Sequence, residues 1–107
     1  MKHFWIAMDD GTKKEVFGEP IKIGEWDCFI YTREEKMPTL IPLYTITETW
    51  HCISEKNSGM NIMSTWFNKE LAIELSESLL SSHDLQTIIK HCKGQLQFHG
   101  LNYPLNA

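Results

Sequence analysis

The spacing of apolar residues changes at Asn68, and this change constrains the fold more than any other feature of the sequence. Between residues 43 and 67, β-branched and aromatic residues dominate and largely alternate with polar ones, as they do in strands. Beyond Asn68, apolar residues recur at the three- and four-residue spacing of helices. This order predicts an α+β fold, with an antiparallel sheet and two C-terminal helices packed on one face.

A β-hairpin is predicted inside the strand-rich region. The segment 56–59, Lys-Asn-Ser-Gly, has the residues of a turn, and Gly59 suits a backbone position with positive φ. Residues 43–55 precede this turn and residues 60–67 follow it. Because both runs are rich in strand-forming residues, we expect them to pair in antiparallel fashion.

The N-terminal part of the sequence supplies the other strands. Residues 4–8 and 13–17 flank a turn at residues 9–12, Asp-Asp-Gly-Thr, and so predict another hairpin. Residues 26–33 contain Trp, Phe, Ile and Tyr and predict a further strand. Together with the later hairpin, these segments predict a sheet of about five strands.

Residues 34–42 are predicted to form a loop. The segment begins with the charged run Glu34-Glu35-Lys36 and continues with Thr39-Leu40-Ile41 between Pro38 and Pro42. A loop of this composition would expose apolar residues beside its prolines.

Two helices are predicted after the last strand. Asn68 is suited to cap the first helix, and residues 81–84 separate it from the second. Gly94 is placed to end the second helix, and residues 95–99 alternate as a short final strand would. The side chains expected to be buried along the two helical stripes are Leu71, Leu75, Leu79, Leu85, Ile88 and Ile89.

The chain length of 107 residues predicts a single domain, residues 1–107. A domain of this length is expected to fold without a disulfide and without a metal or other cofactor. Three cysteines, with no C-x-x-C spacing, indicate reduced thiols and a cytoplasmic location. The apolar run from Phe4 to Met8 is shorter than the core of a signal peptide and far shorter than a membrane span. We therefore expect no contact with a membrane.

Acidic residues outnumber basic ones by 14 to 10, giving a formal net charge of -4. Because no basic cluster exceeds Lys13-Lys14, direct binding of nucleic acid is disfavoured. We expect instead a protein partner with a basic surface. The candidate partner-binding residues are carboxylates of the first helix and of the charged loop, namely Glu70, Glu74, Glu77, Glu34 and Glu35.

The pairs His51-Cys52 and His91-Cys92 suggest an alternative, a small metal-dependent or thiol enzyme. Zinc needs about four nitrogen or sulfur ligands, but adjacent residues in a strand point to opposite faces. In the second helix, Cys92 belongs to the apolar stripe and His91 does not. A site would have to collect single ligands from distant positions, and buried cysteines with surface histidines are the commoner outcome.

Residues 44–80 run as a strand, a turn ending in glycine, a second strand, and a helix that opens with x-K-x-x-A. The residues that carry this pattern are Ile53, Gly59, Ile62, Lys69 and Ala72. The pattern resembles that of small phage and prophage accessory proteins of unknown function. The resemblance implies a mobile-element protein that binds and inhibits or modulates a host protein, for example a host defence factor. It assigns no functional residues, and it leaves the partner and the oligomeric state open.

Overall fold

The computed structural model describes residues 1–41 and 44–106, without the side chains of Pro38 and Leu85. The elements are β1 (Lys2–Ala7), β2 (Lys13–Ile23), β3 (Trp26–Pro38), β4 (Thr45–Glu55), β5 (Asn61–Thr65), α1 (Lys69–Ser81) and α2 (Leu85–Phe98). The strands form an antiparallel sheet with the order β1-β2-β3-β4-β5, and the helices follow it in the chain. This arrangement confirms the predicted α+β fold class and the five-stranded sheet.

Two local predictions around the β4–β5 hairpin are confirmed. The strands β4 and β5 pair in antiparallel fashion, and Gly59 in the turn between them has a φ of 64°. At the start of α1, the Asn68 side-chain oxygen accepts a hydrogen bond from the backbone N–H of Leu71 at 2.7 Å. That bond satisfies one of the free donors of the first helical turn.

The second helix is longer than predicted. Gly94 lies inside α2, and the strand expected at residues 95–99 is wrong because the helix continues to Phe98. A glycine in a helix interior costs only about 1 kcal/mol relative to alanine. Cys92 and Leu96 are both buried, and their four-residue spacing carries the apolar stripe of α2 past the glycine.

The strand β2 changes partners at Gly18. Its first half pairs with β1 as far as Lys2 and Gly18, and its second half pairs with β3 from Glu19 onward. A Cβ at Gly18 would lie 3.1 Å from the Phe4 ring and 3.2 Å from the carbonyl oxygen of Ile30. The missing side chain therefore gives the β1–β2 hairpin room to fold over the central strands.

The central sheet carries an apolar cluster on each face, because successive residues of β3 point to opposite sides. The helix-side cluster contains Ile23, Cys28, Ile30, Ile53, Ala72 and Leu80. The hairpin-side cluster contains Phe4, Ile6, Phe29, Tyr31 and Cys52. Phe4 of the hairpin stacks on Phe29 of the central sheet with ring centroids 4.2 Å apart. The helices and the β1–β2 hairpin thus contribute to separate cores.

The first helix turns a different stripe toward the sheet than predicted. Its buried residues are Ala72, Ser76 and Leu80. Leu75 and Leu79 each remain 38% exposed, so the expectation that they are buried is wrong. Small side chains at positions 72 and 76 allow the helix to lie close to the sheet, because the distance between packed elements depends on the side chains at the contact. The larger leucines then flank the contact.

The remaining stripe residues are less buried than predicted. Leu71, Ile88 and Ile89 are half-buried, although Ile88 packs against the helix-side cluster. The side chain of Leu85 lies outside the described residues.

Contacts around Gly59 join β1 to the β4–β5 turn. The backbone N–H of Ala7 donates to the carbonyl oxygen of Gly59 at 3.0 Å. The side-chain oxygen of Asn106 accepts from the N–H of Trp5 at 2.6 Å, and its amide nitrogen donates to the carbonyl oxygens of Trp5 and Lys56 at 2.9 and 2.8 Å. We call these five residues the Gly59 junction. It connects the first strand, the last hairpin and residue 106 near the C-terminus.

Replacement of Gly59 by alanine should destabilise the domain much more than the same change at Gly24. Both glycines have positive φ, which costs an alanine about 1–2 kcal/mol. A Cβ at Gly59 would also lie 2.5 Å from the carbonyl oxygen of Trp5 and 2.7 Å from Leu105, whereas no atom lies within 4 Å of one at Gly24. We expect Gly59→Ala to cost at least about 1–3 kcal/mol beyond Gly24→Ala in urea unfolding. Equal losses would show that the junction is not tightly packed.

The stripe that faces the sheet can be tested with two leucines of α1. Leu80→Ala should lower the free energy of unfolding by about 2–5 kcal/mol, because Leu80 belongs to the helix-side cluster. Leu75→Ala should cost less than half as much, since its side chain is partly in water. Equilibrium denaturation of the two variants measures the difference. A larger loss at Leu75 would contradict the observed orientation of the helix.

Candidate functional site

The strands β3 and β4 extend beyond the rest of the sheet as a two-stranded arm. They pair from Cys28 and Glu55 to Pro38 and Thr45. Among the described residues, β2 pairs with β3 only as far as Ile30, and β5 pairs with β4 only from His51. We call residues 33–38 and 45–50 the arm. Its six residue pairs span about 20 Å at the usual rise of a strand, in a molecule whose longest dimension is 48 Å.

The arm corrects the prediction that residues 34–42 form a loop. Residues 34–38 belong to β3 and pair with β4, while Pro42 lies outside the described residues. The charged run at 34–36 is compatible with a strand because both faces of the arm reach solvent. Pro38 stands at the end of β3, one of the few places where a strand tolerates proline.

Large apolar side chains are exposed around the end of the arm. Leu40 is fully exposed, and Tyr44 keeps 67% of its surface in water. The Thr39 hydroxyl donates to the carbonyl oxygen of Tyr44 at 2.9 Å, and the N–H of Tyr44 donates to the carbonyl oxygen of Ile41 at 3.1 Å. These bonds link Thr39 and Ile41 to Tyr44, while the side chains of Leu40, Ile41 and Tyr44 remain exposed. The exposed residues that we call the apolar tip are Met37, Leu40, Ile41, Tyr44 and Ile46.

One face of the arm carries Met37 near the tip and Trp50 at the base, with Glu35 opposite Glu48 between them. Met37 lies opposite Ile46 across the strands, and Arg33 lies opposite Trp50. The Arg33 guanidinium is 5.7 Å from the centre of the Trp50 ring, within reach of a cation–π contact. Trp50 in turn packs against the hairpin-side cluster. This face therefore connects the tip to the folded core.

The structure separates the predicted partner-binding carboxylates. Those of α1 are exposed, and the spacing of 70, 74 and 77 places them along one side of the helix. Glu34 and Glu35 are consecutive in β3 and therefore point to opposite faces of the arm. Glu35 also forms an ion pair with Arg33 at 3.2 Å. The five carboxylates, Glu70, Glu74, Glu77, Glu34 and Glu35, thus do not share one flat surface, and their role in binding stays a prediction.

The three cysteines are buried in different surroundings. Cys28 belongs to the helix-side cluster and Cys52 to the hairpin-side cluster, so the sheet lies between them. Burial raises the pKa of the Cys28 thiol to about 12, and it also raises the pKa of Cys92. A nucleophilic cysteine needs a lowered pKa and access to solvent. In the described part of the chain, no three His, Cys, Asp or Glu side chains come together as metal ligands.

Glu55 is a buried carboxylate that the sequence did not indicate. It ends β4 and accepts a hydrogen bond from the backbone N–H of Ser58 at 3.0 Å. Burial raises its pKa, the charge of Asp27 raises it further, and the hydrogen bonds from the backbone of Asn57 and Ser58 oppose the change. The same group lines a cavity of about 220 Å³ that also reaches Cys92 of α2. The hydrogen bonds that Glu55 accepts from the β4–β5 turn give this carboxylate a structural role. We therefore assign it no catalytic role.

No protein-family model, curated protein or solved structure matches this chain. In the parts of the chain that the structure covers, neither helix combines the length and the apolar character needed to cross a membrane.

The raised pKa of Glu55 predicts a pH-dependent gain in stability for Glu55→Gln. Because the folded state holds the proton more tightly than the unfolded state, the wild type loses stability as pH rises above the unfolded value of about 4.3. Glutamine keeps an oxygen for the Ser58 N–H and carries no charge. The unfolding free energy of Glu55→Gln relative to wild type should therefore increase between pH 4 and pH 7.

Urea unfolding across this pH range tests the prediction, with the exposed Glu77→Gln as the control. The control should follow the wild type at every pH. A difference between Glu55→Gln and wild type that stays constant would show that folding does not shift the pKa of Glu55, and a difference that falls with pH would show that the folded protein favours the ionised carboxylate.

Proposed function

We propose that this chain is a non-enzymatic protein-binding module and that the arm is its main contact surface. The observation that carries the proposal is the apolar tip, which is exposed at the end of an ordered, projecting two-stranded arm. Each Å² of apolar surface in water costs roughly 25 cal/mol. Clustered exposed apolar residues with a polar surround are typical of interfaces.

The partner that fits this surface has an apolar pocket with a basic rim. The tip supplies aliphatic side chains and one tyrosine, which suit a desolvated pocket. Glu34, Glu35 and Glu48 on the strands behind the tip outnumber Arg33 and Lys36 there, so the arm carries a net charge of -1. Opposite charge on the partner would speed encounter and set orientation. The exposed carboxylates of α1 form a second acidic contact in this proposal.

We further propose that the partner is a host protein and that the chain serves a mobile genetic element. The support for this part is the resemblance of residues 44–80 to small phage and prophage accessory proteins. The three free cysteines support a cytoplasmic setting, because an oxidising compartment favours disulfides. Inhibition of a host defence factor is one function that such a contact would serve.

The proposal is tested by removal of the apolar tip. A variant with Leu40→Ser, Ile41→Ser and Tyr44→Ser should keep the fold, since these side chains are largely in water. Its matched control is Phe98→Ser, which removes an apolar side chain that is 83% exposed at the end of α2. Wild type, tip variant and control are used as full-length baits in bacterial lysates, and a protein held by the wild type is then purified for calorimetry. We expect the tip variant to weaken binding about tenfold or more, and the control to leave it unchanged.

Two results would overturn the proposal. One is a purified partner that binds the tip variant as tightly as the wild type. The other is a wild-type dimer, detected by sedimentation, that becomes monomeric in the tip variant, because the tip would then be covered by a second copy.

The acidic contact on α1 is tested separately with Glu70→Lys, Glu74→Lys and Glu77→Lys combined. These exposed positions should change stability little, because surface substitutions usually stay within about 0.5 kcal/mol each. If α1 faces the partner, association should slow and lose its salt dependence. An unchanged association rate would show that α1 is not part of the interface and that the arm alone contacts the partner.

A further inference from the structure

A large cleft lies at the end of the sheet away from the arm. Its volume is about 770 Å³, within the range of sites that hold small molecules. It opens between β1, the second half of β2 and the start of β3, and the junction residue Asn106 lines one wall. The walls thus belong to the Gly59 junction, to β1 and to the paired segments of β2 and β3.

Three lysines line this cleft. Lys22 comes from β2, Lys56 follows β4, and Lys2 comes from β1. Within the described residues, none of the three forms an ion pair, although Asp27 lies opposite Lys22 across the strands. With that one carboxylate, the four groups carry a net charge of +2, in a chain whose formal net charge is -4. This local excess of positive charge favours an anionic ligand.

The composition of the walls narrows the class of anion. Ammonium groups act as point charges that bind phosphate oxygens. The cleft is larger than a phosphate group requires, and Pro20 and Leu105 give it apolar surface beside the lysines. His3 lies at the same end, with its ring nitrogen in contact with the carboxylate of Glu15. A ligand that matches both parts carries phosphates for the lysines and a flat ring system for the apolar wall.

We propose that this cleft binds a nucleoside diphosphate or triphosphate, with the phosphates held by Lys2, Lys22 and Lys56. The site is separate from the arm: Asp27, beside the cleft, and Met37, at the tip, stand ten residues apart on β3, a distance of about 33 Å along the strand. Ligand binding here and protein binding at the arm can therefore succeed or fail independently.

The test is titration of ADP into the full chain by calorimetry at low ionic strength. The binding variant is Lys2→Gln, Lys22→Gln and Lys56→Gln combined. The matched control is Lys14→Gln, Lys36→Gln and Lys90→Gln, which removes the same charge from exposed lysines outside the cleft. We expect the binding variant to lose about tenfold or more in affinity, the control to lose less than about twofold, and added salt to weaken the wild type.

Circular dichroism and urea unfolding of both variants establish that they are folded, and the single variant Lys22→Gln, at an exposed position, provides a milder second test. No binding of ADP at millimolar concentration would overturn the proposal. Equal losses in the two triple variants would show that ADP responds to net charge and not to the cleft. Pyrophosphate bound as tightly as ADP would overturn the nucleoside part, because the apolar wall would then contribute nothing.

Discussion

The hydrogen bond from Ala7 to Gly59 ties the first strand to the last hairpin, and the position of the β1–β2 hairpin on the central sheet depends on this contact. It holds the β1–β2 hairpin over the central strands, so that Phe4 stacks on Phe29 and the hairpin-side cluster is closed. Asn106 supports the same contact across 101 residues of sequence. Closing so long a loop costs conformational entropy, and burial of the two apolar clusters offsets that cost.

The sequence was most informative where structure is local. The turn at Gly59, the cap at Asn68 and the strands-then-helices order depend on neighbouring residues, and each is present. The Gly59 junction was not predictable, because no property of Trp5 or Asn106 in the sequence shows that their backbone and side chain will meet. The buried stripe of α1 differs from the prediction because large apolar residues indicate burial in a sequence, whereas small residues allow the closest contact with a sheet.

The candidate site, like the fold, could be predicted from the sequence only in part. The sequence predicts exposed apolar residues near Pro38, but it also predicts a loop for the charged run 34–36, which lies in β3. Consecutive charged residues indicate a loop when one face of a strand must be buried. They are equally compatible with a two-stranded ribbon whose two faces are both exposed to solvent. The shared location of the three cleft lysines could not be predicted from the sequence. Each lies in a different strand or turn, and a single lysine gives no indication of which residues it will lie beside.

An arm with open edges invites pairing with other chains, and its composition limits that risk. Glu34, Glu35 and Lys36 place charge along β3, and threonines alternate along β4. Because the described body contacts the arm only at its base, the length of the arm is free to vary without loss of the core. The length of the arm would change in steps of two residues per strand. Two residues added to each strand would move the tip outward by about 7 Å, and every side chain of the arm would stay on its present face. A single residue in each strand would turn every side chain of the outer arm to the other face. Related chains that lengthen or shorten this segment are thus expected to do so in even steps, which would let one scaffold present its tip at graded distances from the body.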